Sequence, residues 1–534
     1  MKTNIKMRKI ILTVLGIIFV LSIFTTQDFS DIFLINEKEG FDNINNKIDS
    51  EVLKASSNGG SVCTAINNQL IGQICSDGSG GAIIVWEDER NDSGDIYAQR
   101  INSAGNANWD PDGIAICTAN NEQRTPRICS DGVGGAIIVW ADKRSGLDYD
   151  IYAQRIDSNG NVQWIPNGTV ICMLGEDQWA TVISDGIEGA VITWYSKNLL
   201  MATGENIFSQ RINLSGIIQW PNNGIPICTN IDVLDPRMCS DSNGGAIITW
   251  TDLRTSPDYH VYTQRVNGSG ITEWIDNGTI ICTTSANQID QVICDDGTGG
   301  AIIAWLDDRN IYSDVYAQRI DSTGALTWGN DGIAVCNSAY ADHDPNICSD
   351  DNSGAIITWA DSRSLTGYDI YAQRVASNGY ALWTVDGVAI STAEEFQTDP
   401  QICGDGANGA IIVWEDDRDD PSFDIYAQRI NSTGNIQWLS NGIPICTSDN
   451  AQSVPQITGD GSAGAIIAWQ DSRATPNIDI YVNLIDSSGD VKWPPTEGNG
   501  NGDGVIIGYK LGLVVCLISI ISAILVRKRV KLIK

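Results

Sequence analysis

The feature that most constrains this chain is a unit of about 55 residues that recurs along almost its whole length. The first tryptophan of the unit occurs eight times, 54 to 56 residues apart, at Trp86, Trp140, Trp194, Trp250, Trp305, Trp359, Trp414 and Trp469. A period of this size is typical of propellers and solenoids, in which each unit buries its apolar surface against its neighbours. Eight copies therefore predict one large domain.

A single copy, covering 126–172, reads as four β-strands and shows no helical period. The predicted strands are 126–130, which ends at an Asp-Gly turn, 135–140, which is continuously apolar, 150–156 and 162–172. Four antiparallel strands make one blade of a β-propeller. The sequence thus predicts an all-β fold, a single eight-bladed propeller of four-stranded antiparallel blades.

The two ends of the array indicate that the propeller closes into a ring. The last copy stops after Trp493, without the second half of its fourth strand, and that missing half stands alone at 59–63, before the first copy. We therefore expect blade eight to be built from 456–493 together with an N-terminal strand around 61–64.

A turn and a second tryptophan also recur, as Asp157, Gly160 and Trp164 in one copy. The equivalent tryptophans are Trp109, Trp220, Trp274, Trp328, Trp383, Trp438 and Trp493. The element resembles the tryptophan-docking repeat of the quinoprotein-like (PQQ-type) eight-bladed propellers, in which the tryptophan wedges between blades. It departs from that pattern by a shorter Asp-to-Gly spacing, by Arg155 in place of alanine, and by the absence of a vicinal cysteine pair. The resemblance implies architecture and blade number rather than quinone chemistry. The unit is also similar to the "DIYAQR" repeats of secreted prokaryotic surface proteins.

The segments that flank the propeller (60–493) predict a membrane-anchored surface protein. A basic and then apolar stretch at 1–24 is typical of a signal peptide or signal anchor, and 25–59 of a polar tether. After a linker at 494–504, the apolar run 505–526 predicts a transmembrane helix, and the basic tail 527–534 places the C-terminus in the cytoplasm. We expect a single-pass protein of the cell membrane with its propeller outside.

The charge of the chain excludes one class of partner. Its formal net charge is −33 at pH 7. A negative field of this size repels phosphate backbones, so a nucleic-acid partner is not expected.

Cysteines occupy two recurring positions, at the end of the fourth strand and within the first. Because three copies keep one of these cysteines while losing the other, and because the outer and inner strands lie too far apart for a bridge, we predict buried thiols. No C-x-x-C pair or nearby histidine predicts zinc.

The motif Trp-x-Asp-x-Arg, as in Trp140, Asp142 and Arg144, recurs with a downstream Asp150 and Tyr152. The third copy replaces the three charges together, which favours a structural network over a catalytic one. No cofactor is predicted, although Ca²⁺ is an open alternative because oxygen ligands suit it. Its best position is the acid-dense copy with Asp416, Asp417, Asp419, Asp420 and Asp424.

The third copy carries apolar residues in two loops where the other copies are polar. These residues are Trp179, Leu199, Leu200 and Met201. Because the two loops of a blade open on the same face, we predict that these side chains form an exposed contact patch. The alternative is that they cover one another or the tether.

These patterns together predict a binding or adhesion module for an extracellular protein or glycan, not an enzyme, with no catalytic residues. Two alternatives stay open: a secreted hydrolase or lyase with its site in the propeller channel, and a structural component of a surface layer.

Overall fold

The described part of the chain is built entirely from β-strands. The computed structural model describes residues 58–493 apart from 92–93, 175–176, 188, 198–204, 232, 256, 365–366 and 419–421. Within these residues there is no helix, and so none with the length and apolarity to cross a membrane. The predicted signal, linker, transmembrane helix and basic tail, and the tether before residue 58, lie outside the described residues.

Thirty-two strands are numbered in chain order. The first half of the chain has β1 Gly60–Cys63, β2 Gln69–Ser76, β3 Ala82–Asp88, β4 Asp95–Ile101, β5 Ile114–Cys117, β6 Gln123–Ser130, β7 Ala136–Asp142, β8 Asp150–Ile156, β9 Thr169–Cys172, β10 Asp177–Ser184, β11 Gly189–Lys197, β12 Glu205–Asn213, β13 Ile225–Ile231, β14 Val233–Ser240, β15 Ala246–Asp252, β16 His260–Val266 and β17 Thr279–Ile280. The second half has β18 Gln288–Asp295, β19 Ala301–Asp307, β20 Asp314–Ile320, β21 Ile333–Ala334, β22 Asp342–Ser349, β23 Ala355–Asp361, β24 Asp369–Val375, β25 Val388–Ser391, β26 Gln397–Gly404, β27 Ala410–Asp416, β28 Asp424–Ile430, β29 Ile443–Cys446, β30 Gln452–Gly459, β31 Ala465–Asp471 and β32 Asp479–Ile485.

The strands form eight four-stranded antiparallel sheets, which confirms the prediction of an eight-bladed propeller. Seven sheets use four consecutive strands, beginning with β2 to β5 as blade 1. The eighth has the order β1-β32-β31-β30, so the N-terminal strand completes the last blade. The ring is therefore closed by hydrogen bonds between the two ends of the array.

The second strand of each blade carries the core. In β7 every residue is buried, as a strand covered on both faces must be. Ile83 and Val85 of blade 1 belong to one hydrophobic cluster with Ile138 and Trp140 of blade 2, so the core lies between neighbouring blades. The fourth strand is shorter than predicted: in blade 2 it is β9, and Val162 makes only an isolated bridge to Ile156.

The second tryptophan of each unit docks against the next blade. Trp109 donates a hydrogen bond from Nε1 to the carbonyl of Ser158 at 3.3 Å. A Cβ on Gly160, which has a φ of +88°, would lie 2.9 Å from the Trp109 ring, so this turn requires glycine. Trp493 makes the same contact with Gly105 of blade 1, which extends the docking around the whole ring.

The Trp-x-Asp-x-Arg motif forms a network that joins neighbouring blades. Asp142 accepts a 2.7 Å hydrogen bond from Trp140 Nε1 and pairs with Arg144. The Arg144 guanidinium lies 3.7 Å from the centre of the Tyr152 ring and donates to Cys117 Sγ of the preceding blade at 3.2 Å. The described cysteines are free thiols, and the ones at this position are hydrogen-bond acceptors as well as small apolar groups.

Candidate functional site

A β-bulge in the innermost strand shapes the central channel. In blade 6 the pairing of β22 with β23 shifts register between His343 and Asn346, and similar shifts occur in six other blades. A bulge leaves one residue out of the ladder and re-aims its side chain. Blade 3 is the exception, because its first two strands pair without a shift.

The bulged residue is an aspartate in four consecutive blades. These residues are Asp235, Asp290, Asp344 and Asp399, and their φ angles lie between 47° and 54°. A positive φ is strained for most side chains but is tolerated best by asparagine and aspartate. The corresponding residues of blades 2 and 8 are Thr125 and Val454, so the acidic residues occupy one side of the ring only.

The four aspartates line one cavity in the channel. Its volume is about 500 Å³, and the opposite wall is formed by Gln73 and Thr181. Asp235 pairs with Arg237 at 2.8 Å, and both side chains are more than half exposed. Burial and the charges of Asp344 and Asp235 raise the pKa of Asp290. The carboxyl groups of blades 4 to 7 thus lie close enough to repel one another.

Glu415 of β27 is not among the described residues that line this cavity, but it has a carboxyl group with a strongly altered pKa. Burial and the charges of Asp399 and Asp344 raise its pKa to about 7, although the carboxylate accepts a 2.7 Å hydrogen bond from the Val454 amide. Burial and Asp344 also raise the pKa of Asp399, whose Oδ1 accepts a hydrogen bond from Gln401. A carboxyl group that holds its proton near neutral pH beside other carboxylates is the arrangement of an acid–base pair.

A cluster of aromatic rings spans blades 6 and 7. The ring of His343, the residue before Asp344, lies 4.8 Å from the ring of Tyr368, and Tyr368 makes an edge contact at 5.5 Å with Phe396. Phe396 is 42% exposed. The cluster therefore begins one residue before Asp344 and ends in a partly exposed phenylalanine ring.

The structure describes only one residue of the predicted contact patch, Trp179. This residue lies in β10 and is half-buried. The centre of its ring lies 5.3 Å from that of Tyr195, on which it stacks, and 6.5 Å from that of Tyr149. Leu199, Leu200 and Met201 lie outside the described residues, as do Asp419 and Asp420 of the acid-dense loop. The patch stays a prediction.

Sequence reasoning missed the channel residues. The signal was present: the residue before the proline of the first strand is aspartate in three copies, at Asp235, Asp344 and Asp399. Glu415 likewise stands where blade 2 has Ala141 and blade 8 has Gln470.

A second cluster of titratable groups lies away from the channel, at Asp342, Asp361 and Cys336. Asp342 stands where six other blades have glutamine. Burial and a hydrogen bond to Asp361 raise the pKa of Asp342 to about 9, while hydrogen bonds from Arg363 and Asp342 outweigh burial and lower the pKa of Asp361. Arg363 also donates to Cys336 Sγ at 3.2 Å. The Arg363 guanidinium therefore already supplies a positive charge to this cluster, and the two carboxyl groups share a proton.

We expect Asp342→Gln to raise the melting temperature of the protein. The folded state keeps this proton up to about pH 9, whereas an unfolded aspartate loses it near pH 4. Unfolding therefore releases a proton, and the free energy of unfolding falls as the pH rises between these values. The variant removes this loss, so its gain of several degrees should be larger at pH 8 than at pH 5 in thermal unfolding. Lower melting temperatures for both D342Q and D342N at pH 8 would contradict this account.

No family model and no curated protein matches this chain. Among solved structures, it is similar to a puromycin-hydrolyzing peptidase of Mycobacterium tuberculosis (11% identity, TM-score 0.44, 77% of this chain and 61% of that chain). It is also similar to the acylaminoacyl peptidase of Pyrococcus horikoshii (8%, 0.41, 75% and 57%) and to a polysaccharide lyase of family PL25, an ulvan lyase (10%, 0.43, 80% and 96%). The chain spans about 60% of the length of the peptidases.

These comparisons contradict two of the sequence-based predictions. The chain was expected to be a binding or adhesion module and not an enzyme, but the solved structures that it resembles include peptidases and a lyase. The interpretation as a non-enzymatic module is therefore wrong by this comparison. The likeness is one of fold, and it assigns neither an activity nor a substrate to this chain.

Proposed function

We propose that this protein is a hydrolase whose active site lies in the central channel of the propeller, and that it cleaves a neutral glycan by acid–base catalysis. The observation that carries the proposal is Glu415, whose pKa of about 7 is set by burial beside Asp399 and Asp344. General acids work best when their pKa lies near the working pH.

In this proposal one carboxyl group acts as the general acid and another as the general base. Glu415 donates its proton to the oxygen of the bond that breaks, and the Asp344 carboxylate takes a proton from the attacking water. The two carboxyl groups then exchange their protons with solvent, so the site returns to its starting state. Glycoside hydrolysis by paired carboxyl groups follows this scheme. The rings of Tyr368 and Phe396 offer an apolar surface for the CH face of a sugar.

A lyase is the second candidate, because the channel could also support proton abstraction. Elimination in polysaccharides requires an acidic sugar, however, and its carboxylate would face Asp290, Asp344 and Asp399. The only cation among the described residues that line this cavity is Arg237, which is paired with Asp235. Repulsion in the channel therefore favours hydrolysis of an uncharged substrate over elimination.

A substrate screen tests the proposal. The purified full-length protein would be incubated with neutral polysaccharides, uronate polysaccharides and acylated peptides, and products would be identified by mass spectrometry. We expect cleavage of a neutral polysaccharide with uptake of water, and its loss in Asp344→Asn. Unsaturated products from a uronate polymer would indicate the lyase instead, and no cleavage in any class would refute both.

We also propose that the enzyme acts at the outer face of a cell membrane. The support is the apolar run 505–526 followed by Arg527, Lys528 and Arg529. Separation of membrane and soluble fractions would test this, since a chain ending at residue 504 should move to the soluble fraction.

A further inference from the structure

One hydrogen bond recurs where each blade meets the next. The backbone amide of the first residue of the innermost strand, usually glutamine, donates to the carbonyl that precedes the third strand of the preceding blade. The observed bonds are Gln69 to Ile478, Gln123 to Gly94, Gln397 to Tyr368 and Gln452 to Phe423, at 2.7 to 2.8 Å. The residue after each of these carbonyls is an aspartate, respectively Asp479, Asp95, Asp369 and Asp424. A glutamine and an aspartate therefore lie next to each other at each of these interfaces.

The glutamine side chain has a defined orientation. In four of these glutamines Nε2 donates to carbonyls of the preceding loop, for example from Gln123 to Asn121 at 2.9 Å and from Gln452 to Asn450 at 2.8 Å. The exception is Gln178, whose Nε2 has no partner in the described part of the chain. In the other four, Oε1 consequently points away from that loop. Rotating the amide would place Oε1 against those carbonyls, so the loop disfavours the opposite orientation.

These glutamine oxygens are buried without a donor. The Oε1 atoms of five fully buried glutamines have no hydrogen-bond partner in the described part of the chain: Gln69, Gln123, Gln178, Gln397 and Gln452. Two of the neighbouring aspartates, Asp150 and Asp369, have one oxygen in the same condition. A buried polar atom without a partner costs about 1–3 kcal/mol, and here the cost recurs around the ring.

Two exceptions within the chain show what the glutamine oxygen faces. In blade 4 the aspartate is replaced by His260, and a ring nitrogen of His260 lies 2.6 Å from Gln288 Oε1. Among the described glutamines that begin a first strand, Gln288 is the one whose Oε1 has a partner. Between blades 3 and 4 the aspartate becomes Asn206 and the glutamine becomes Val233, so the acid and the amide are lost together. The first residue of the third strand and Gln Oε1 thus form one site.

Charge decides between the ligands that could bridge these oxygens. Asp150, Asp369 and Asp479 are at most 3% exposed, and none of them forms an ion pair with a described residue. A water molecule could donate to both oxygens but carries no charge, and burial raises the pKa of Asp150 by more than Ser145 and Arg144 lower it, so the negative charge there is only partly compensated. We propose that a hard divalent cation, Ca²⁺, bridges the aspartate carboxylate and the glutamine Oε1 at the three interfaces that bring together Asp150 and Gln178, Asp369 and Gln397, and Asp479 and Gln69. Carboxylate and amide oxygens are the ligands that Ca²⁺ prefers, and the remaining positions of its shell are filled by loop carbonyls or water.

Metal content and thermal stability test this proposal without any substrate, so the result is independent of the proposed hydrolase activity. The full-length protein would be treated with EDTA, dialysed against Ca²⁺ and analysed by mass spectrometry for bound metal. We expect about three Ca²⁺ per chain and a melting temperature that rises with Ca²⁺ and falls in EDTA.

The chain supplies its own matched variants. Asp150→His copies the interface of blade 4 and should lose one Ca²⁺ while remaining folded in EDTA, because the histidine satisfies the glutamine. His260→Asp should gain one Ca²⁺. Protein that binds no Ca²⁺, or Ca²⁺ content that is the same in both variants as in the wild type, would overturn the proposal in favour of water or a proton at these sites.

Discussion

Replacing Glu415 with glutamine should abolish most of the activity of this protein while leaving its fold intact. Glutamine has the same shape and keeps an oxygen to accept the Val454 amide, but it has no proton to donate in the reaction. Loss of a general acid typically costs about 10²- to 10⁴-fold in rate. We therefore expect kcat to fall by that factor, with KM changed little, in steady-state assays on the polysaccharide that the screen identifies.

Blade 1 provides the matched control for this substitution. Glu87 occupies the same repeat position as Glu415, and it also accepts the amide of the next bulged residue, from Thr125 at 3.4 Å. Its neighbour is Arg124, at 3.8 Å, rather than a group of aspartates. Glu87→Gln should therefore leave kcat unchanged. Equal losses in the two variants would mean that the glutamate supports the bulge and does not donate the proton.

Removing the closing strand should cause the largest loss of stability. A chain that begins at Ala65 lacks β1, which pairs with β32 and buries Val62 and Cys63. Each buried apolar side chain contributes about 1.5–3 kcal/mol and each hydrogen bond of the ladder about 0.5–1.5 kcal/mol, so we expect a loss of the order of 5 kcal/mol. Domain stabilities are usually only about 5–15 kcal/mol. Denaturant unfolding and light scattering would measure the effect.

The control is a chain that begins at Asn58. It retains the whole of β1 and the hydrogen bond from Arg473 to the Asn58 carbonyl, at 2.8 Å, so it should unfold like the full-length protein. The shorter chain also leaves β32 as an unpaired edge, which invites self-association. A chain beginning at Ala65 that is monomeric and as stable as the control would show that the ring does not depend on this closure.

The fold was predictable because the information that specifies it is repeated eight times. Apolar runs such as 135–140 can only be buried between other strands, and the half unit at 59–63 has no partner except the end of the last copy. These are local patterns, and averaging over copies strengthens them. The short fourth strand was overestimated because the tryptophan at its start, as at Trp164, docks on the next blade instead of pairing.

The candidate site was not predictable for the opposite reason, since it lies in differences between copies. The predicted first strand begins at Pro126, one residue after the bulge, so the prediction leaves out the position that carries Asp235, Asp344 and Asp399. The pKa of Glu415 depends on Asp344 of the neighbouring blade, which no local pattern reveals. The sequence instead indicated Trp179, because an aromatic residue in a loop that is polar in the other copies is a larger departure from the repeat than an aspartate in place of Thr125 at the bulge.

The pH dependence of kcat/KM, compared between the wild type and Asp399→Asn, tests the central claim most directly. If Glu415 is the acid, kcat/KM should fall as the pH rises through about 7, where Glu415 loses its proton. The carboxylate of Asp399 helps to hold that proton, so its removal should lower the pKa of Glu415 and move the fall to lower pH. A profile without a fall near pH 7, or one at the same pH in both proteins, would contradict the assignment of Glu415 as the catalytic acid of the channel.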